Sequence, residues 1–524
     1  MLLKIFHAIS NMPKPTVASS VSRASVSKSV MKHHPFRCEA SGYDKKLAFP
    51  TRSRKGTDRL PYVDSALEKQ YNRRSAFFQL GQSVFLLAVD IPAGTRYTEH
   101  KTEFYTAGGF TVENFNELLK KYADFIVRVG VNPQPGQTLI INCPLEGAPL
   151  ARLCVRSAYE AGARDVQVNW NDDAVARARM ELGSEDALTD LKPWQLRRYL
   201  DYAESEGGVC VLHLIADDPE LYAGLDGGKI SRVNAARRAF MEEWQEYTMN
   251  DRVQWSIAAL PSAPWAKKIF PELDTVAAME ALWKLIFDVC RVTGGDPVGE
   301  WTAHMERLST LRDKMNALDL ESVHFASSNG TDLTVGLADG AIWESAASRS
   351  EKGVVFLPNI PTEEVFTAPH KDKVEGIVYG TKPYVFNGQL IKNFYVRFEQ
   401  GRVVEHGAEE GADLLGQLLD SDEGARSIGE VALVPASSPI NRSGKLFYST
   451  LFDENAACHI AFGASYPGTT KGGTALTKEQ LEARGMNQSR LHEDVMIGAE
   501  DSEITGKCRD GRTVQLFKNG VWVL

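Results

Sequence analysis

Residues 138–170 read TLIINCPLEGAPLARLCVRSAYEAGARDVQVNW, and this stretch indicates the fold class. The apolar run at 138–141 predicts a strand, and a second run at 166–170 predicts another. Between them, residues 150–161 have the composition of a helix that ends before Gly162. A strand, a helix and a strand in this order form a βαβ unit, whose two strands are parallel. We therefore predict an α/β N-terminal domain with a parallel sheet.

The segments around this unit fit the same class. Apolar residues recur at helical spacing in 115–126, which predicts an amphipathic helix. Further strands are predicted at 209–215 and 253–260, and helices at 232–247 and 276–292. No G-x-G-x-x-G follows any of these strands, and the chain contains no G-x-x-x-x-G-K-[ST]. The sequence therefore gives no support to a nucleotide-binding fold.

From about residue 321, short apolar runs alternate with turn pairs, which are the strongest short-range signal for β-hairpins. The pairs are Asn329-Gly330, Asp339-Gly340, Asn387-Gly388, Asp510-Gly511 and Asn519-Gly520. We therefore predict a second, β-rich (α+β) domain. The proposed division is an N-terminal extension at 1–106, an α/β substrate-cleft domain at 110–318, and a β-rich, metal-binding catalytic domain at 319–524.

Composition narrows the class of partner. The 524 residues are 43% hydrophobic and 24% charged, which are ordinary globular values. A net charge of -9 argues against nucleic acid or an anionic membrane as partner, because both attract basic surfaces. The seven cysteines are scattered and form no C-x-x-C, which indicates reduced thiols in a reducing compartment such as the cytoplasm.

The N-terminal extension has an unusual composition. Residues 1–38 contain six Lys and Arg, many serines, and no Asp or Glu. This composition is typical of an organellar transit peptide, and the alternative is a disordered or mis-started leader without a role. The apolar segment at 77–89 is too short to cross a bilayer. We therefore expect a cytoplasmic protein, with organellar import if the leader is a transit peptide.

Candidate metal ligands lie in the last third of the chain. Their carboxylate oxygens and imidazole nitrogens suit Zn²⁺, Co²⁺, Mn²⁺ or Mg²⁺. If the stretch around residue 493 is a strand, His492 and Asp494 share one face, and Glu493 points to the other. The candidate ligands are Glu364, Glu430, Glu454, His459, His492 and Asp494.

Three blocks around these residues carry a family resemblance: PTEEVFTAP at 361–369, LFYSTLFDENAACH at 446–459, and HEDVMIG at 492–498. Together they resemble the aminopeptidase T / aminopeptidase S family of dinuclear metallopeptidases over roughly residues 110–524. The resemblance implies a homodimeric aminopeptidase that acts on peptides with a free N-terminus. It implies metal ligands at Glu364, Glu430, His459, His492 and Asp494, with Glu454 as a further candidate, and an active-site tyrosine at Tyr466.

Peptide hydrolysis explains why such groups are needed. Two cations about 3.5–4 Å apart activate a water and polarise the substrate carbonyl. One carboxylate must bridge the cations, and Glu430 is our candidate. Glu364 with His459, and His492 with Asp494, would divide between the two metals in an order that the sequence leaves open. Tyr466 would donate to the oxyanion or contact a metal, and Glu363 or Glu454 would carry the proton to the leaving amine.

Two other functions remain open: a dinuclear hydrolase of another amide or ester, and a catalytically silent peptide-binding homologue. The complete ligand set argues against the silent homologue. Cys458 is interpreted as an apolar filler beside His459 rather than as a nucleophile. His213 is interpreted as a satisfied core histidine, because it lies within an apolar strand. His304 lacks an acidic partner at ligand spacing.

Overall fold

The computed structural model describes residues 114–216, 218–386 and 389–524. The predicted extension at 1–106, with its basic leader and the apolar segment at 77–89, lies outside the described residues.

The N-terminal part alternates helices and strands, as the βαβ unit predicted. Its elements are α1 (Phe115–Phe125), β1 (Thr138–Pro144), α2 (Ala148–Glu160), β2 (Asp165–Asn171), α3 (Asp173–Leu182), α4 (Glu185–Thr189), α5 (Trp194–Ala203), β3 (Val209–Ile215), α6 (Gly227–Phe240), α7 (Glu242–Met249), β4 (Gln254–Ala259), α8 (Ala263–Ile269), α9 (Thr275–Val289) and α10 (Pro297–Ala317).

The C-terminal part consists mainly of strands. Its elements are β5 (Leu320–Ala326), β6 (Asp332–Leu337), β7 (Glu344–Ser345), β8 (Ser348–Arg349), β9 (Val355–Phe356), β10 (Asn359–Ile360), β11 (Val365–Thr367), β12 (Pro369–Tyr379), β13 (Tyr384–Phe386), β14 (Gln389–Glu399), β15 (Arg402–Glu410), α11 (Ala412–Leu419), β16 (Ile428–Leu433), α12 (Pro439–Arg442), α13 (Thr450–Asp453), β17 (His459–Gly463), α14 (Lys478–Glu482), β18 (His492–Met496), β19 (Glu503–Cys508), β20 (Thr513–Lys518) and β21 (Val521–Trp522).

A parallel sheet organises the N-terminal part, with strand order β10-β4-β3-β1-β2. Leu139 and Ile141 on β1 are fully buried in the main core, and Ile140 packs into a second core with Leu200 and Trp244. Both faces of the sheet are therefore covered, as expected for parallel strands. The edge strand β10 comes from beyond residue 319 and pairs in parallel with β4. The chain thus crosses the predicted domain boundary, and a division near 318 stays a prediction.

Antiparallel sheets organise the C-terminal part. One has five strands in the order β18-β17-β16-β11-β7, and a larger one has nine strands. The α/β plus β-rich fold class is therefore confirmed. Asn329-Gly330 joins β5 to β6, Asp510-Gly511 joins β19 to β20, and Asn519-Gly520 joins β20 to β21, each as an antiparallel hairpin. The strands β13 and β14 that flank residues 387–388 also pair antiparallel.

Two local predictions are wrong. Asp339-Gly340 does not close a hairpin, because β6 before it and β7 after it belong to different sheets. The helix predicted at 232–247 is two helices, α6 and α7, with a break at Met241, whose backbone angles (φ -93°, ψ 7°) leave the helical region. Among the described residues, no helix combines the length and the apolar composition needed to cross a bilayer.

Candidate metal centre

Four neighbouring strands of the five-stranded antiparallel sheet carry the candidate ligands. Glu364 directly precedes β11, Glu430 lies on β16, and His459 is the first residue of β17. His492 and Asp494 lie on β18, at positions of the same face. Because the strand order is β18-β17-β16-β11, ligands spread over residues 364–494 are brought into one sheet.

Small residues between the ligands leave room for them to converge. Ala461 on β17 pairs in register with Glu430 on one side and with Asp494 on the other. Gly463, two positions further along the same face, pairs with His492. A methyl group and a hydrogen fill little space above the sheet. The longer side chains on the flanking strands can therefore approach one another across β17.

The backbone beside the ligands requires glycine at two positions. At Gly463 (φ +98°), a Cβ would lie 2.0 Å from the Leu491 carbonyl oxygen. At Gly429, a Cβ would lie 2.2 Å from the Ala464 carbonyl oxygen. The register between β16 and β17 shifts across Gly429, which marks a β-bulge immediately before Glu430. Bulges often redirect a functional side chain in this way.

The ligand atoms form two groups that share one carboxylate. Within each group, all chosen atoms lie within 4.8 Å of one another. In the first group, His459 Nε2 lies 3.2 Å from Glu364 Oε2 and 3.5 Å from Glu430 Oε1. In the second, His492 Nε2 lies 3.7 Å from Glu430 Oε2 and 3.5 Å from Asp494 Oδ1. Glu430 therefore presents one oxygen to each group, and all five residues are buried.

Backbone carbonyls orient both imidazole rings toward the carboxylates. His492 Nδ1 lies 2.7 Å from the Ala464 carbonyl oxygen, and His459 Nδ1 lies 3.2 Å from the Ala457 carbonyl oxygen. A carbonyl can only accept, so each Nδ1 carries a proton and donates it. In the neutral form of each ring, the Nε2 atom then has the lone pair that binds a metal.

The electrostatics of the cluster fit a cation. Burial alone lowers the pKa of His459, but the surrounding carboxylates, Glu364 most strongly, outweigh burial and raise it well above its ordinary value. Both oxygens of Glu430 and the Nε2 atom of His459 are buried without a hydrogen-bond partner among the described residues. Buried carboxylates without such partners are costly unless a cation compensates them. The donor set therefore fits divalent metal ions.

Glu454 is buried like the ligands but belongs to neither group of ligand atoms. It lies in the block at 446–459, where Asp453 accepts hydrogen bonds from the backbone N–H groups of Phe447 (2.8 Å) and Ser449 (3.1 Å). Asn455, which follows Glu454, accepts a hydrogen bond from the backbone N–H of Glu363 at 2.8 Å through its side-chain oxygen. This block therefore connects β17 to the loop that carries Glu364.

Tyr466 lies beside the second group of ligands. Its ring centroid is 4.6 Å from that of His492, at an interplanar angle of 56°. Tyr466 is half-buried, whereas the ligands are fully buried. The resemblance had implied an active-site role for this tyrosine, and the fold places it beside the second group of ligand atoms.

Glu363 has partners that the sequence did not reveal. Arg291 Nη2 lies 2.6 Å from Glu363 Oε1, and His304 Nε2 lies 3.5 Å from Glu363 Oε2. Burial raises the pKa of Glu363 to about 6, although the Arg291 charge opposes the increase. Burial also lowers the pKa of His304 to about 3, with the Arg291 charge acting in the same direction. His304 is therefore a neutral neighbour of an acid, a contact that spacing along the chain could not indicate.

Cys458 has no role as a nucleophile in this arrangement. Burial raises the pKa of its thiol to about 11. Its sulfur donates to the Val434 carbonyl oxygen at 3.2 Å and accepts the Val434 N–H at 3.3 Å. The thiol is thus protonated and occupied, which agrees with its interpretation as a filler beside His459.

A buried set of carboxylates and imidazoles that converges on two neighbouring points is typical of metal-dependent hydrolases. Comparison with known proteins supports this class. Residues 115–522 match the model of the thermophilic metalloprotease family. Aminopeptidase 2 of Geobacillus stearothermophilus is 42% identical over 411 residues, which cover 78% of this chain and 99% of that protein. Aminopeptidase T of Thermus aquaticus is 40% identical over 417 residues, which cover 79% of this chain and all of that protein.

A solved structure agrees with these matches. Wild-type AmpT from Thermus thermophilus superimposes with a TM-score of 0.73 at 37% identity, over 78% of this chain and 100% of that one. The chain therefore belongs to the thermophilic metalloprotease family. It is a metal-dependent peptidase, and the family resemblance of its three sequence blocks is confirmed.

Proposed function

We propose that this protein is an aminopeptidase that releases single residues from peptide N-termini at a dinuclear metal centre. The observation that supports a dinuclear centre most strongly is the position of Glu430, whose two oxygens face two different groups of ligands. The named activity of the related aminopeptidases supports the substrate class. A homodimer in the cytoplasm is part of the proposal, on the family resemblance and on the scattered cysteines.

Each ligand has a role in this proposal. Glu364 and His459 would hold one divalent ion, His492 and Asp494 would hold the other, and Glu430 would contribute one oxygen to each. When bound, two such cations lower the pKa of a water and polarise the substrate carbonyl. The bound ions are Zn²⁺, Co²⁺, Mn²⁺ or Mg²⁺, since oxygen and nitrogen donors suit all four.

The remaining residues act on the substrate and its protons. Tyr466 donates a hydrogen bond to the substrate oxygen as negative charge develops there. Glu363 or Glu454 carries a proton from the attacking water to the leaving amine. Arg291 and His304 fix one orientation of the Glu363 carboxylate. Glu454 is within reach of the Asn455 side chain at 3.4 Å, which restrains it in turn.

Leu-Gly-Gly is expected to lose its N-terminal leucine, whereas N-acetyl-Leu-Gly-Gly is expected to survive. A free amine carries a positive charge that buried carboxylates can pair, and its fixed position aligns the first peptide bond for attack. Acetylation removes that charge and leaves an acid unpaired, a loss of roughly 1–3 kcal/mol or more. Mass spectrometry of the two digests measures the difference.

A third peptide, Leu-Gly-Gly-amide, is the matched control, because it keeps the free N-terminus and changes only the other end. Equal turnover of the free and acetylated peptides would replace the proposal by a dinuclear hydrolase of broader amide or ester specificity. Failure to cleave any peptide, with metal bound, would favour a silent peptide-binding homologue.

A further inference from the structure

Polar side chains form one row across the parallel sheet. Asn142 on β1 pairs in register with Asn169 on β2 and with His213 on β3. The row continues through Ile257 on β4 to Asn359 on β10. In β1, β2, β3 and β4 the row lies two residues before the last residue of the strand, close to the carboxyl ends, and it meets β10 at its first residue.

The row crosses the point where the strand order reverses. From β1 the chain goes to β2 on one side and then returns to β3 on the other side of β1. In open parallel sheets, ligands bind in the crevice beyond the carboxyl ends of the strands at such a point. Asn142 and His213 lie on the two strands that flank it.

Hydrogen bonds within the row leave two groups available. Asn142 Oδ1 accepts from Asn169 Nδ2 at 2.8 Å and from the Tyr199 hydroxyl at 3.2 Å. Asn142 Nδ2 lies 3.3 Å from His213 Nδ1 and donates to it, so the neutral ring carries its proton on Nε2. Burial lowers the pKa of His213 to about 4, which keeps the ring neutral near pH 7.

The available groups are the donor His213 Nε2–H and the acceptor Asn169 Oδ1. Neither has a hydrogen-bond partner in the part of the chain that the structure describes. The side chains of Asn142, Asn169, Tyr199 and His213 are half-buried, so their polar edges can be reached from solvent. His213 is therefore not the satisfied core histidine that its apolar strand predicted.

The row ends at Asn359, which lies a few residues before the first metal ligand in the chain. His213 is two strand spacings from Asn359, about 10 Å, because neighbouring strands lie 4.7–4.9 Å apart. Asn359 is followed in the chain by Glu363 and Glu364. An extended peptide advances about 3.3 Å per residue, so about three substrate residues would cover the distance from His213 to Asn359, and further residues would reach from Asn359 toward the metal ligands.

We propose that Asn142, Asn169 and His213 of the row, together with Tyr199 of α5, bind the peptide backbone several residues beyond the cleaved bond. This inference rests on the proposed aminopeptidase function. A peptide group is neutral and offers one donor and one acceptor, which matches the donor and acceptor that the row leaves available. None of these four side chains is charged. An ionic ligand would therefore find no opposite charge here and is disfavoured.

The test compares substrate lengths. For wild-type enzyme and variants, kcat/KM is measured for Leu-4-nitroanilide and for a series of peptides of two to eight residues, each with an N-terminal Leu followed only by Ala. The ratio of octapeptide to nitroanilide is expected to fall about three- to tenfold in His213→Leu, which loses the donor. His213→Gln, which keeps an N–H near the Nε2 position, is expected to restore most of the ratio. His324→Leu on β5, a half-buried histidine of the C-terminal antiparallel sheets, is the control and should leave the ratio unchanged.

A binding measurement separates this inference from the proposed function. Calorimetry with the N-acetylated octapeptide and the metal-loaded protein measures binding to the row, since acetylation is expected to prevent cleavage, and His213→Leu or Asn169→Ala should weaken binding about three- to tenfold. Equal binding and an unchanged length ratio in both variants would overturn the role of the row. Loss of cleavage in wild-type enzyme together with normal, His213-dependent binding would contradict the peptidase proposal and leave the row in place.

Discussion

Replacement of Glu430 by glutamine is expected to reduce peptidase activity by at least a hundredfold and to remove at least one bound metal. Glu430 is the one residue common to both groups of ligand atoms, with one oxygen facing each. Glutamine keeps the size of the side chain but lacks the charge, and its amide nitrogen cannot ligate a cation. Elemental analysis and kcat on Leu-4-nitroanilide measure the two effects.

Glu493→Gln is the matched control for this variant. Glu493 is a buried glutamate that lies between two ligands on β18, but strand alternation points it to the other face of the sheet. The control should retain both metals and most of the activity. A folded Glu430→Gln protein that binds two metals per chain would show that Glu430 is not the bridge.

Dialysis against EDTA is expected to silence the wild-type enzyme, and Zn²⁺ or Co²⁺ should restore it. Removal of the cations leaves three buried carboxylates close together. Divalent cations also bind the folded state, in which these side chains are assembled, much more strongly than the unfolded chain. The melting temperature should therefore fall with metal removal, by the equivalent of about 3 kcal/mol if the metal had been present at a hundred times its Kd. Calorimetric scans before and after reloading measure this change.

EDTA that has been saturated with Zn²⁺ beforehand is the control for dialysis, since it exposes the enzyme to the chelator after its metal-binding capacity has been filled. Activity should survive this treatment. A preparation that is metal-free by elemental analysis and still fully active would contradict metal dependence altogether.

The sequence predicted those parts of the site that depend on local pattern. His492 and Asp494 are two apart on a strand, and alternation alone places them on one face. The turn pairs around β5, β19 and β20 predicted hairpins because their backbone angles favour Gly and Asn. The grouping of all these ligands came from the family resemblance, since no spacing rule connects Glu364 to His492.

Contacts between distant segments were beyond sequence reasoning. Arg291 meets Glu363 because the turn after α9, where Arg291 adopts φ +57°, lies against the loop that follows β10. The pairing of β10 with β4 joins residues about 100 positions apart, and a two-residue strand has no periodicity to detect. Met241 interrupts a helical segment without any glycine or proline to signal the break.

Anomalous diffraction from crystals of the Zn²⁺-loaded or Co²⁺-loaded enzyme tests the dinuclear centre most directly. Two peaks per chain are expected, one among Glu364, Glu430 and His459, and one among Glu430, His492 and Asp494. A single peak, or two peaks that do not both contact Glu430, would contradict this expectation.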